Sequence, residues 1–193
     1  MSALKKEKKK YTYSDYCKWD DGKRWELIEG IPYAMSPAPA RKHQRILGKL
    51  YLLFGNFLKN KQCEIYPAPF DVRLNGKDED DTVVQPDISV ICDRSKLNDK
   101  GCVGAPDLII EILSPSTARK DRIKKFNQYQ KAGVAEYWIV DPDTESVQVH
   151  LLNEQGQYVT FAYENDADFE TLVPVNILEG LVINLQEVFS QMP

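Results

Sequence analysis

Two carboxylates interrupt stretches of sequence that otherwise look built to be buried. Asp87 stands within residues 83–91, Val-Val-Gln-Pro-Asp-Ile-Ser-Val-Ile, and Glu111 within residues 108–113, Leu-Ile-Ile-Glu-Ile-Leu. A carboxylate taken out of water without a partner is costly, so each needs a cation, a set of hydrogen-bond donors or a metal. If both stretches are strands, the two-residue period puts Gln85, Asp87 and Ser89 on one face. In the second, Glu111 shares a face with Ile109 and Leu113, opposite Leu108, Ile110 and Ile112. On adjacent strands the two acids would make an oxygen-rich pocket of the kind magnesium occupies. Each acid taken alone also fits the commoner role of accepting backbone or Arg/Lys hydrogen bonds at a strand end.

The residues that follow Glu111 bear on this choice. Ser114-Pro-Ser-Thr117 carries N-cap chemistry for a helix running to about Ala132 and stopped by Gly133. Arg119 and Lys120 fall in its first turn, where cations oppose the helix dipole and a bound phosphate would welcome both. Asp121, Lys125 and Tyr129 are spaced by four and line one stripe. Lys125 has two readings: an amine reaching back to Glu111, or a surface pair with Asp121 that does nothing further.

Composition narrows the alternatives. The chain has 193 residues, 42% of them hydrophobic and 28% charged, which predicts one ordinary globular core. Net charge is −4, but residues 5–10, Lys-Lys-Glu-Lys-Lys-Lys, carry net +4, so the remainder carries −8. A basic segment of this kind reads as a solvated terminus, and residues 1–11 are expected to form a disordered tail before a single domain over residues 12–193. Cys17, Cys63, Cys92 and Cys102 lie 46, 29 and 10 residues apart, so no CxxC pair starts a zinc site. With His43 and His150 as the two histidines, any metal must rely on oxygen ligands. No apolar run has the length of a membrane span, and the expectation is a cytoplasmic protein with free thiols.

Around these residues the sequence predicts a short helix at residues 13–19 and two strands at 25–28 and 31–35. A long amphipathic helix follows, with Ile46, Leu47, Leu50, Leu53, Phe54, Phe57 and Leu58 at three- and four-residue steps. Strands are predicted at 64–66, 70–74, 83–91, 108–113 and 137–140, then a hairpin of 146–152 with 157–163, and a final strand with a helical turn over 181–189. Tyr137 and Trp138 are assigned to the core. The order indicates an α/β fold, a mixed sheet flanked by helices.

Several segments taken together resemble the bacterial restriction-endonuclease-like family called Uma-two. They are Trp25-Glu-Leu-Ile-Glu-Gly30, Met35-Ser-Pro37, His43-Gln44, Gln85-Pro-Asp-Ile-Ser89, Ile110-Glu-Ile-Leu-Ser-Pro-Ser-Thr117, Asp121-Arg122 with Lys125 and Tyr129, and Ala132-Gly-Val-Ala-Glu-Tyr-Trp-Ile-Val-Asp-Pro142. The resemblance covers about residues 12–185. It implies the restriction-endonuclease-like fold of the PD-(D/E)XK nucleases, with additional N-terminal and C-terminal strands. It also implies a Mg2+-dependent endonuclease acting on DNA, with Mn2+ as a substitute ion. Asp87 and Glu111 would bind the metal, with the Ile112 carbonyl as a further ligand. The chain departs from the superfamily pattern at Leu113, where that pattern has lysine, and the resemblance implies that Lys125 supplies the amine from the following helix. His43 is then either a group near the metal or a satisfied core histidine, and Glu26 is a metal-adjacent acid ranked below the other two. A catalytically silent nucleic-acid-binding module of the same fold is the alternative, and a hydrolase for a small phosphorylated substrate is a third reading. The edge formed by residues 158–163 is available to a second copy as a homodimer contact.

Overall fold

The computed structural model describes residues 9–35, 38–76 and 79–190. The basic segment through Lys8, Ser36-Pro37 of the Met35-Ser-Pro37 segment, and Lys77-Asp78 lie outside the described residues. The central sheet has six strands in the order β12-β11-β10-β9-β6-β3: β3 (Glu64–Pro67), β6 (Ile88–Ile91), β9 (Leu108–Ile112), β10 (Glu136–Asp141), β11 (Ser146–Leu152) and β12 (Tyr158–Glu164). All neighbouring pairs in it are antiparallel except β9 and β10, which are parallel. A parallel pair needs a crossover, and here it is helical: a π-helical turn, Lys120–Lys125, runs into α3 (Phe126–Ala132). Gly133, with φ +87°, ends that helix in the left-handed conformation open to glycine.

The two faces of the central sheet bury different layers. Leu108, Ile110 and Ile112 pack with Trp138 and Val140 against the stripe Ile46, Leu50, Phe54 and Leu58 of α2 (Arg41–Leu58). β13 (Leu172–Pro174), β14 (Val182–Asn184) and α4 (Leu185–Phe189) complete that layer. Ile109, Leu113, Tyr137 and Ile139 face the other way, onto Tyr129 of α3 and onto a second sheet. This second sheet has the order β2-β1-β5-β4-β8-β7, built from β1 (Trp25–Ile28), β2 (Ile31–Ala34), β4 (Val72–Arg73), β5 (Val83–Val84), β7 (Leu97–Asn98) and β8 (Gly101–Val103). A short helix, α1 (Tyr13–Tyr16), precedes it and starts at Thr12, whose N–H donates to Asp15 Oδ2 at 3.1 Å. The expected alternation of residues 108–113 and the expected burial of Tyr137 and Trp138 are both present.

Two expectations are corrected. Residues 83–91 are not one strand: Val83–Val84 pairs with β1 and β4, whereas Ile88–Ile91 pairs with β3 and β9 in the other sheet. The chain changes sheets at Gln85-Pro86-Asp87, where proline has no N–H to give a ladder. Nor are all four thiols free. The antiparallel register Glu64↔Ile91 sets Cys63 across from Cys92, and the two form a disulfide. Cys17 and Cys102 are free. Among the described residues no helix is long and apolar enough to cross a membrane.

Candidate active site

Four separate elements bring side chains to the C-terminal end of the parallel β9–β10 pair. Ile88 pairs with Ile110, and continuing that antiparallel register by one residue brings Asp87 opposite Glu111. Asp87 Oδ2 accepts the Ile112 N–H at 2.8 Å, which fixes the carboxylate against the end of β9. On its other side His43, from the first turn of α2, places Nε2 3.2 Å from the same oxygen. Burial opposes a charged imidazole at His43, but the Asp87 carboxylate and the Ile112 backbone outweigh it and raise the His43 pKa above its ordinary value. His43 Nδ1 is buried without a hydrogen-bond partner.

Lys125 is the hub of the site. Its Nζ lies 2.8 Å from Glu111 Oε1, 2.8 Å from Glu26 Oε1 and 3.6 Å from Asp121 Oδ1. The residue is 3% exposed, so the reading as a silent surface pair fails. The π-helical turn helps to put it there: Phe126 N–H bonds back five residues to the Asp121 carbonyl, and both Asp121 and Lys125 turn inward. The Tyr137 hydroxyl also donates to that carbonyl, at 3.2 Å. Tyr129, one further step along the stripe, donates its hydroxyl to Glu111 Oε1 at 2.7 Å. Burial, with Glu111 adding to it, pushes the Tyr129 pKa well above its usual value, so this group remains a donor.

Glu26 enters from β1 of the second sheet, fully buried. Besides Lys125 it accepts Lys120 Nζ at 2.5 Å on Oε2 and the Gln85 N–H at 3.1 Å on Oε1. Lys120, expected to greet a phosphate at the helix start, is thus ion-paired with a buried acid. The two glutamates that share Lys125 respond in opposite directions. Burial pulls Glu26 upward, but two lysines and their hydrogen bonds prevail and hold its pKa at about 2. Glu111 has burial against it, one lysine in its favour, and Asp121, Asp87 and Glu26 nearby, and it is pushed up to about 8.

The centre therefore gathers four carboxylates, Glu26, Asp87, Glu111 and Asp121, about two lysines. Asp121 Oδ1 is buried with no hydrogen-bond partner. Carboxylate and carbonyl oxygens are the donors that Mg2+ and Mn2+ take, and the excess of negative charge is of the kind a divalent ion offsets, so the residues fit such an ion in donor type. Among the described residues no three acids, histidines or cysteines already converge on one point as a ready-made metal nest. Sequence reasoning named Asp87, Glu111, Lys125, His43 and Glu26, and all five meet here. It gave Tyr129 and Asp121 no role, although their four-residue spacing from Lys125 was the available signal.

Residues 12–186 match the family described as "Uma2: Putative restriction endonuclease". Among relatives, the chain is 27% identical over 158 residues to "Uncharacterized protein slr1290" of Synechocystis, covering 80% of this chain and 81% of the relative. It is 33% identical over 121 residues to "Uncharacterized protein sll1609" of the same organism, covering 60% of this chain and 65% of the relative. A solved structure from Anabaena variabilis, described as "a putative nuclease belonging to DUF820", superposes with a TM-score of 0.73 at 26% identity, covering 93% of this chain and 97% of that one. The fold is thus the restriction-endonuclease-like mixed sheet flanked by helices.

Proposed function

The chain belongs to the Uma2 family, matched along residues 12–186, and from that membership we propose that it is an endonuclease that hydrolyses phosphodiester bonds of DNA. The observation that carries the reading is the Lys125 amine, buried 2.8 Å from Glu111, where it stands in for a lysine on the strand. Asp87, Glu111 and the Ile112 carbonyl would hold Mg2+, or Mn2+ in its place. Bound there, the ion would polarise a phosphoryl oxygen and lower the pKa of a bound water.

The chain's own residues supply the rest. Lys125 offers a positive charge toward the pentavalent transition state or the attacking water. Glu26, held by Lys120 and the Gln85 N–H, fixes that amine from behind. Tyr129 locks one oxygen of Glu111, and His43 with the Ile112 N–H sets the orientation of Asp87. Residues 12–193 would act as a single domain, and work on DNA would locate the protein in the cytoplasm.

The test is incubation of purified protein with DNA and Mg2+ or Mn2+. Wild type should nick or cut, and Asp87→Ala should not; equal trace product from both would mean contamination and end the reading. One observation favours a silent binding module instead: Leu113 stands where the superfamily pattern has lysine. Calorimetry separates the two, because a silent module would show no Mg2+ binding that requires both Asp87 and Glu111.

A further inference from the structure

Beside the acidic centre lies an open cleft of about 530 Å³ between Tyr33 of β2 and the start of the crossover helix. Arg119, Lys120 and Lys124 line it, with Ile123, and no carboxylate does. In a chain of net charge −4 this is a local reversal of sign. Lys120 leads inward to Glu26, and so through Lys125 to Glu111. Lys124 stands over the Tyr33 ring, 4.4 Å from its centroid, and donates to the Tyr33 hydroxyl. Arg119 is exposed and has no carboxylate partner among the described residues.

A second basic surface flanks the centre on the side of α2. Arg41, Lys42 and Arg45, with Glu145, line a cavity of about 380 Å³. Arg45 Nε is buried without a hydrogen-bond partner. The same first turn of α2 delivers His43 to Asp87. Two elements that contribute to the acidic centre, the crossover helix and α2, thus each carry a group of basic side chains as well.

We propose that the two basic groups form the walls of a track for the sugar–phosphate backbone of duplex DNA, with Arg119 and Lys124 on one side of the scissile phosphate and Arg41 and Lys42 on the other. This inference rests on the nuclease reading and deepens it, because it states how a chain of net negative charge holds a polyanion. Positive charge is concentrated where phosphates pass, and the remaining surface contributes little to non-specific binding. The Tyr33 ring and Ile123 give the first wall an apolar floor on which a sugar or base edge can rest.

The experiment is fluorescence anisotropy with a fluorescein-labelled short duplex, in the non-cleaving Asp87→Asn background with Mg2+, over a series of salt concentrations. Arg119→Ala and Lys124→Ala should each reduce the slope of log affinity against log salt by about 1. The reversals Arg119→Glu/Lys124→Glu and Arg41→Glu/Lys42→Glu should each weaken binding by at least about tenfold, and in the otherwise wild-type enzyme should raise KM while kcat at saturating DNA is kept. Arg119, Lys124 and Arg41 are exposed and Lys42 is half-buried, and an unchanged unfolding midpoint confirms that the variants are folded. If neither pair alters affinity or slope while wild type still cuts DNA, the track is wrong and the nuclease reading stands. If wild type neither binds nor cuts DNA, both fall together.

Discussion

Two buried glutamates of the central sheet, Glu111 and Glu136, make an instructive contrast. Glu136 opens β10 and faces the α2 layer, where it accepts the Trp138 indole N–H at 2.7 Å and the Ile177 N–H at 2.9 Å. Both donors are neutral and both come from the wall of the core, so the carboxylate ties β10 to the C-terminal segment. Glu111 stands near the end of β9 on the opposite face, and its partners are Lys125 and Tyr129 from the crossover. Burial raises the pKa of both. Burial and a raised pKa therefore do not by themselves separate the two. Their positions differ: Glu111 lies at the C-terminal end of a parallel strand pair, where an α/β sheet opens toward a ligand, and Glu136 lies at the other end.

The most decisive challenge to this contrast is a pair of amide substitutions. Glu111→Gln should reduce metal-dependent DNA cleavage by about 10³-fold, whereas Glu136→Gln should leave kcat/KM within about threefold at a temperature where both are folded. A comparable loss in both would erase the distinction. Next in size is Lys125→Met. It leaves Glu111 and Asp121 without their cation and should cost about 3–5 kcal/mol in urea unfolding, while Glu136→Gln, which alters bonds to neutral donors, should cost about 1–2 kcal/mol.

The smallest effect concerns pH in the metal-free protein. Burial pushes Glu111 up to about 8 in the folded chain, so its contribution is present below its unfolded value and is lost as pH rises from there through about 8. Glu111→Gln should therefore gain stability relative to wild type between pH 5 and pH 9, read as a rise in the difference between their urea midpoints. Glu26 has the opposite sign. Its pKa is held at about 2, so its contribution is present above its unfolded value and is lost on acidification below that range.

The chemistry was more legible in sequence than the architecture that frames it. Asp87 and Glu111 announce themselves because an acid inside an apolar stretch must be accounted for, and the stripe Asp121, Lys125, Tyr129 follows from spacing alone. Part of the second sheet was not legible: β7 has two residues and β8 three, too few for any period to register, whereas the strand predicted at 70–74 contains β4. The break at Pro86 carried a signal, since a proline within a strand pattern argues against a central strand, but the apolar residues on either side masked it. The Cys63–Cys92 disulfide depends on a strand register that spacing does not reveal. The pairing of Glu26 with Lys120 spans 94 residues and joins a strand of one sheet to the crossover of the other, a contact that only the packed fold creates.

The Lys125 amine reaches Glu111 from the crossover helix, while Leu113, two places on from Glu111, packs into the hydrophobic layer beside Tyr129 and Ile109. A search that requires an acid and a lysine two places apart on one strand passes over this chain. A search that asks which amine lies within 3 Å of the strand acid finds it at once, with Lys125 at 2.8 Å. The strand acid here meets its amine with no lysine near it in sequence, the charge being delivered by a different element of the fold.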